Sequence, residues 1–256
     1  RRIMNNRLKS IQEILFSKGE ITLQELSDNL QVSLVTIRKD VTELQKEGLA
    51  VRHRGKVALP SNHHAIQQPY RLRKVLFENE KSLIAKKVME YITEDDSIIL
   101  DSGTTTYAIA KELFNHSHIS IATNSICAAN ILNDSEHSLF LAGGLLSSRG
   151  MCTVGGAAED YFKSIHANKA FIATTGVRED LSLTVTLDIE IGVKKAMVEA
   201  ADEIILVATS DKFHNNNLFS FCTVDKINKI ITTHPAPPEA VLKLIDSYGI
   251  ELIYAD

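Results

Sequence analysis

From residue 97 onward, short runs dominated by apolar residues on both strand faces alternate with stretches of helical periodicity, and few folds accommodate that rhythm. The extended runs are 97–100, 119–122, 139–142, 170–174, 204–208, 229–231 and 252–254, and helical spacing marks 104–114, 125–132, 189–201 and 240–248. A strand that is apolar on both faces must be covered on both faces, which is the situation of a strand in a parallel sheet packed between helices. The intervening helices supply the crossovers that parallel strands require. Residues 81–256 are therefore expected to form one α/β domain. The densest apolar run, 204–208, has the length of a buried strand and falls far short of the roughly 18 residues of a membrane helix, so no membrane span is expected.

The first sixty residues have a different texture and a different charge. The chain as a whole carries a formal charge of −4, but residues 1–60 hold 11 Lys and Arg against 7 Asp and Glu, leaving 17 against 25 for the rest. A basic module joined to a larger acidic domain suits a polyanion partner for the former and other work for the latter. Leu8, Ile11, Ile14 and Leu15 fall on one helical face. Thr22 is placed to cap a second helix with Leu23, Leu26 and Leu30 in a stripe, and Ser33 to cap a third. In that third helix Ile37, Val41 and Leu44 recur at i, i+4 and i+7, which turns Thr36, Arg38, Lys39 and Thr42 outward. Gly48 is placed to end it, and 49–59 reads as a short hairpin with Arg52, His53, Arg54, Gly55 and Lys56 at its centre. Residues 61–80, with His63, His64 and Pro69, read as a linker between domains at 1–60 and 81–256.

Two helices joined by a tight turn at Gln31 and Val32 fit the major groove of DNA, which admits one helix. Ser33, Thr36 and Arg38, with Leu34 beside them, are then the candidates for base edges, and Lys39, Arg52, Arg54 and Lys56 for phosphates. The same periodicity also fits a three-helix module that docks another protein. The wording of the segment is more particular. Glu20-Ile21-Thr22-Leu23-Gln24-Glu25-Leu26, Val32-Ser33-Leu34-Val35-Thr36-Ile37-Arg38-Lys39-Asp40-Val41 and Arg52-His53-Arg54-Gly55 closely resemble the winged helix-turn-helix of the DeoR family of bacterial transcriptional regulators. That family usually has two adjacent glycines at the wing tip, and Lys56 stands at the second position here.

In the second domain, Asp101-Ser102-Gly103-Thr104-Thr105-Thr106 follows an apolar strand and opens a helix, so backbone N–H groups and hydroxyls gather at one spot. That is a ready anion site, although a tight turn with a threonine cap explains the same residues. Thr123-Asn124-Ser125 repeats the arrangement one strand later, and Gly143-Gly144 after the next strand permits close backbone approach. Together the three strand ends suggest one crevice. This half also resembles the DeoR-family effector domain, through the same strings and through Gly155, Ala170-Phe171-Ile172, Gly176-Val177, Glu190, Val193-Lys194 and Asp211-Lys212-Phe213.

The resemblance implies a fold akin to ribose-5-phosphate isomerase and coenzyme A transferases, with a phosphorylated sugar as effector. On that footing Ser102 to Thr106 hold the phosphate, Asp101, Asn124 and Gly143-Gly144 meet the sugar, Thr123 belongs to the same effector site, and Lys194 and Lys212 add positive charge. Most members read Asp-His-Ser-Lys where this chain has Thr209-Ser210-Asp211-Lys212, so the effector's identity does not transfer. It further implies a homo-oligomer, dimer or tetramer, acting on operator DNA as a repressor.

An isomerase is the natural rival, because aldose–ketose exchange needs a carboxylate base. The related isomerases carry an acidic cluster where this chain has Gly143-Gly144-Leu145, which leaves Asp101, Asp188 and Glu190 as the candidates; no catalysis is expected. No cofactor or metal is expected either: His63-His64 lack partners at ligand spacing. Three cysteines, Cys127, Cys152 and Cys222, without a CxxC pair suit a reducing cytoplasm, and charged residues from Arg7 to Glu13 leave no secretory signal core.

Overall fold

The computed structural model describes residues 6–53, 55–60 and 70–256. Arg54, His63, His64 and the rest of the 61–69 segment lie outside the described residues. The chain divides into two compact units, one of residues 1–64 and 71–77, the other of 65–70 and 78–256.

The N-terminal unit comprises α1 (Asn6–Lys18), β1 (Glu20–Thr22), α2 (Leu23–Leu30), α3 (Leu34–Lys46), β2 (Val51–His53), β3 (Lys56–Ala58) and most of α4 (Tyr70–Val75). Thr22 starts α2 with a complete capping box. Its hydroxyl accepts from Glu25 N at 3.1 Å, and its own N–H donates to the Glu25 carboxylate at 2.8 Å. Gln31 takes the left-handed conformation at φ 50°, turning the chain into the Ser33 cap of α3. Gly48 leaves α3 at φ 70°, a conformation that favours glycine. Leu8, Ile11, Leu15, Leu26, Ile37, Val41, Leu44 and Val57 close the core, and Leu72 and Leu76 complete it. Two features depart from the reading of the sequence. Glu20–Thr22 is a strand, paired antiparallel with β3 to give a sheet ordered β1-β3-β2. Residues 70–75 and 78–80, inside the stretch read as a linker, are helical: Leu72 and Leu76 have an apolar core to fill, and 78–80 open the first helix of the larger unit.

The larger unit runs α5 (Glu78–Val88), β4 (Ser97–Leu100), α6 (Thr104–Leu113), β5 (Ser120–Thr123), α7 (Ile126–Leu132), β6 (Ser138–Leu141), β7 (Leu145–Ser147), β8 (Cys152–Val154), α8 (Gly156–Lys163) and β9 (Ala167–Ile172). It continues with β10 (Gly176–Val177), β11 (Leu183–Val185), α9 (Ile191–Glu199), β12 (Ala201–Val207), β13 (Phe219–Cys222), β14 (Lys229–Thr232), α10 (Glu239–Ser247) and β15 (Glu251–Tyr254). Seven strands form an all-parallel sheet in the order β15-β14-β12-β9-β4-β5-β6. The strands divide their side chains between two cores. Ile99, Ala170, Ile172, Ile204 and Leu206 pack with α8, α9 and α10, whereas Ile98, Leu100, Phe171, Ile205 and Val207 pack with α5, α6 and α7. The sheet is thus covered on both faces, as its sequence demands. The strand order reverses between β4 and β9: β5 and β6 extend one way from β4, and β9, β12, β14 and β15 extend the other. Such a reversal opens a crevice beyond the carboxyl ends of the two strands.

Candidate nucleic-acid interface and anion site

On α3 of the N-terminal unit, Ile37, Val41 and Leu44 are fully buried, and Arg38, Lys39 and Thr42 face solvent together with Val35, which is 73% exposed. Ser33 and Thr36 are first of all a cap. Their hydroxyls lie 2.8 Å apart, and Ser33 Oγ accepts from Thr36 N at 3.2 Å. Beneath them Asp40 is buried and receives Arg7 from α1 through two hydrogen bonds, the Nη2 one at 3.0 Å, which ties the two helices together. On the hairpin Arg52 and His53 are exposed and Gly55 turns the tip at φ 83°. Lys56 is also exposed, but its ammonium donates to Glu20 on β1, so part of its charge is countered.

In the larger unit the strand register aligns five loops at one end of the sheet. Leu100 pairs with Thr123 and Phe171, Thr123 with Leu141, and Ile172 with Leu206. Residues 101–104, 124–125, 142–144, 173–175 and 208–212 therefore leave the sheet side by side, bringing most of the expected site residues together.

Their roles sort by what each side chain already touches. Asp101 is fully buried at the switch between β4 and β9. Its Oδ1 accepts from Ser102 N at 2.7 Å, and its Oδ2 accepts from Ala173 N at 2.9 Å and from the Lys194 ammonium. Lys194, also buried, donates to Ala173 O at 2.9 Å and sits 5.1 Å from the centre of the Phe221 ring. Carboxylate and ammonium thus pair across the β4–β9 switch, so the positive charge expected of Lys194 is countered by Asp101. Thr123 is likewise engaged within the frame: it is fully buried, donates to Leu100 O at 2.6 Å and accepts from Ser125 N at 3.0 Å. Lys212 lies in a single 3-10 turn, Ser210–His214, and pairs with Asp211 at 2.7 Å.

Two groups are left unmatched. The first turn of α6, at Thr104, Thr105 and Thr106, has no preceding helical carbonyls to take its N–H groups, and the helix dipole adds partial positive charge there. Gly103 precedes it, and a Cβ at that position would come 3.1 Å from Ala173 Cβ, so the loop lies close against its neighbour across the switch. One strand over, Asn124 is 1% exposed and donates through Nδ2 to Thr153 O at 2.8 Å, yet its Oδ1 has no hydrogen-bond partner among the described residues. A buried carbonyl oxygen without a donor is costly and uncommon. Gly143 and Gly144 are exposed at the rim; Gly144 has φ 137°, and a Cβ there would meet Val154 O at 2.7 Å.

The sequence read Cys152 only as a free thiol and did not single out Ser147. Cys152 is fully buried among Ser102, Asp101, Glu190 and Lys194, and burial pushes its thiol up to about 11, with the neighbouring carboxylates adding to the rise. A Cβ on Gly150 would strike its Sγ at 2.7 Å and come 3.2 Å from Glu190 Oε1 and 3.5 Å from Ser147 Oγ. The segment 145–156 has neither helical nor alternating periodicity, and only its glycines hint at such close packing. Among the described residues, no helix is long and apolar enough to cross a membrane.

Comparison with known proteins matches both units. A model described as the DeoR-like helix-turn-helix domain covers residues 7–63, and one described as the DeoR C terminal sensor domain covers residues 77–234. The glycerol-3-phosphate regulon repressor of Escherichia coli K12 is 32% identical over 247 residues, 96% of this chain and 97% of that protein. The HTH-type transcriptional repressor GlcR of Bacillus subtilis 168 is 31% identical over 251 residues, 98% of this chain and 96% of that one. Among solved structures, ribose 5-phosphate isomerase A from Methanocaldococcus jannaschii aligns over 53% of this chain and 54% of its own, with 18% identity and a TM-score of 0.41.

Proposed function

The chain belongs to the DeoR family of transcriptional regulators, and from that premise we propose that it represses a carbohydrate-metabolism operon under the control of a phosphorylated sugar. In this reading the N-terminal unit binds operator DNA, with Arg38 reaching a base edge and Lys39, Arg52, Arg54 and Lys56 the phosphates. The protein works in the cytoplasm as a homo-oligomer, dimer or tetramer, so that two reading helices meet two half-sites.

The observation that carries the effector half is the pairing of unmatched groups at the switch point. The N–H groups of the α6 first turn call for an anion, and Asn124 Oδ1 calls for a hydroxyl donor. One small molecule that brings both is a phosphorylated polyol or sugar. Asp101, the carboxylate nearest that point in the chain, is held by Lys194 and two backbone N–H groups, which supports a binding role for the pocket rather than proton abstraction.

Regulation requires the effector to bind the DNA-competent and DNA-released arrangements unequally. A hundredfold release corresponds to about 2.7 kcal/mol of difference, within reach of a few charge-assisted hydrogen bonds. The test is a thermal-shift panel of triose, pentose and hexose phosphates with glycerol 3-phosphate, followed by gel shifts on a duplex selected from random DNA. A hit that raises the melting temperature and alters DNA affinity is expected; stabilisation by no phosphorylated compound would remove the proposal.

Arg38→Ala is expected to lower affinity for the selected duplex about ten- to hundredfold with little change on random DNA. Lys56→Ala should weaken both alike and reduce the slope of log affinity against log salt by about one. Titration of both variants at several salt concentrations checks this, and wild-type affinity in both would remove the reading helix from its role.

A further inference from the structure

The two edges of the large sheet are unlike. On β15, Glu251 faces solvent and pairs with Lys229 at 3.2 Å, and the apolar Leu252, Ile253 and Tyr254 are partly covered. On β6, which among the described residues pairs with β5 alone, Phe140 is 50% and Leu141 45% exposed; just beyond, on β7, Leu145 and Leu146 are 68% and 57% exposed. Residues 138–148 contain no charged side chain and no proline. Free strand edges in soluble proteins are normally guarded by charge, proline or a bulge, because their unpaired N–H and C=O groups recruit other strands. This one is regular, neutral and apolar.

We propose that the β6–β7 edge is the twofold interface through which a second copy of this chain assembles. Antiparallel pairing is its own mate under a twofold axis, so β6 can extend the sheet by meeting β6 of the partner with Phe140 close to the axis. Charge decides the occupant. A twofold axis sets the residues beside it against their own copies, where any charge would meet its like, and a segment free of charge avoids that penalty. The inference rests on the proposed regulator function in one respect, that paired half-sites need paired subunits.

The experiment measures the mass of the full chain by light scattering across a concentration series. Wild type is expected to be an even-numbered oligomer. Phe140→Lys and Phe140→Glu should each weaken association at least a hundredfold, and mixing the two in equal amounts should restore it, since residue 140 then faces the opposite charge. Leu145→Lys should weaken association as well, circular dichroism confirms folding, and Leu218→Lys, at a residue 78% exposed just ahead of β13, should keep the wild-type mass. A monomeric wild type, charged variants at both positions that retain full mass, or a residue-140 pair that fails to recombine would overturn the interface. A monomer that still binds a selected duplex removes this inference and leaves the regulator intact; an oligomer governed by residue 140 that enriches no DNA does the opposite.

Discussion

Replacing Lys194 with methionine is expected to destabilise the larger unit by about 3 to 5 kcal/mol, the cost of leaving one member of a buried ion pair without its partner. Asp101 is fully buried, and after the substitution its charge would be supported only by Ser102 N and Ala173 N, while Ala173 O would lose its donor. The pair spans the point where the strand order reverses, so the damage falls on the β4–β9 junction. Because methionine fills much the same volume, the loss reports on charge more than on packing. The double variant Lys194→Met/Asp101→Asn should recover at least half of the lost stability by removing the stranded carboxylate. Urea denaturation followed by circular dichroism measures both; a cost below about 1 kcal/mol, or a double variant no better than the single, would show that the pair is not what holds the crevice.

Thr105→Asp is expected to abolish effector binding, with affinity falling at least a hundredfold, while the fold stays intact. Thr105 is buried in the first turn of α6, where the free N–H groups and the helix dipole offset the cost of burying a carboxylate, and the new side chain is of similar size. The same carboxylate would stand against the phosphate. At an effective dielectric constant of 20, two unit charges about 4 Å apart repel by about 4 kcal/mol, more than enough for the predicted loss. Isothermal titration with the compound found by thermal shift reads the affinity, and gel shift reads DNA binding without effector, which should match wild type. An unchanged effector affinity would take the α6 terminus out of the site.

The sequence revealed what local chemistry determines and concealed what only register brings together. The reading unit was legible because its punctuation is local: Thr22 with Glu25, Ser33 before α3 and Gly48 after it each act within a few residues. The parallel strands were legible because a run such as Ile204 to Val207 has no polar face to present. β7, β8, β10, β11 and β13 escaped notice: they have two to four residues each, too few for a periodicity to show, and β13 pairs with a strand more than thirty residues earlier. In the site, the α6 loop could be located from its glycine and hydroxyl run. The engagement of Asp101 by Lys194, 93 residues further on, could not, because nothing in either neighbourhood signals the other. The place of Cys152 beside this pair stayed hidden for the same reason.

Leu72 and Leu76 carry a practical lesson for anyone dissecting this molecule. They sit beyond the polar stretch after the wing, yet they fill the core of the first unit. A fragment cut at residue 60 would open a cavity where two leucines belong, and should melt at a lower temperature than one carried through Phe77. The natural place to sever the protein is thus set by where its oil is shared, several turns downstream of where its hydrophilic residues suggest.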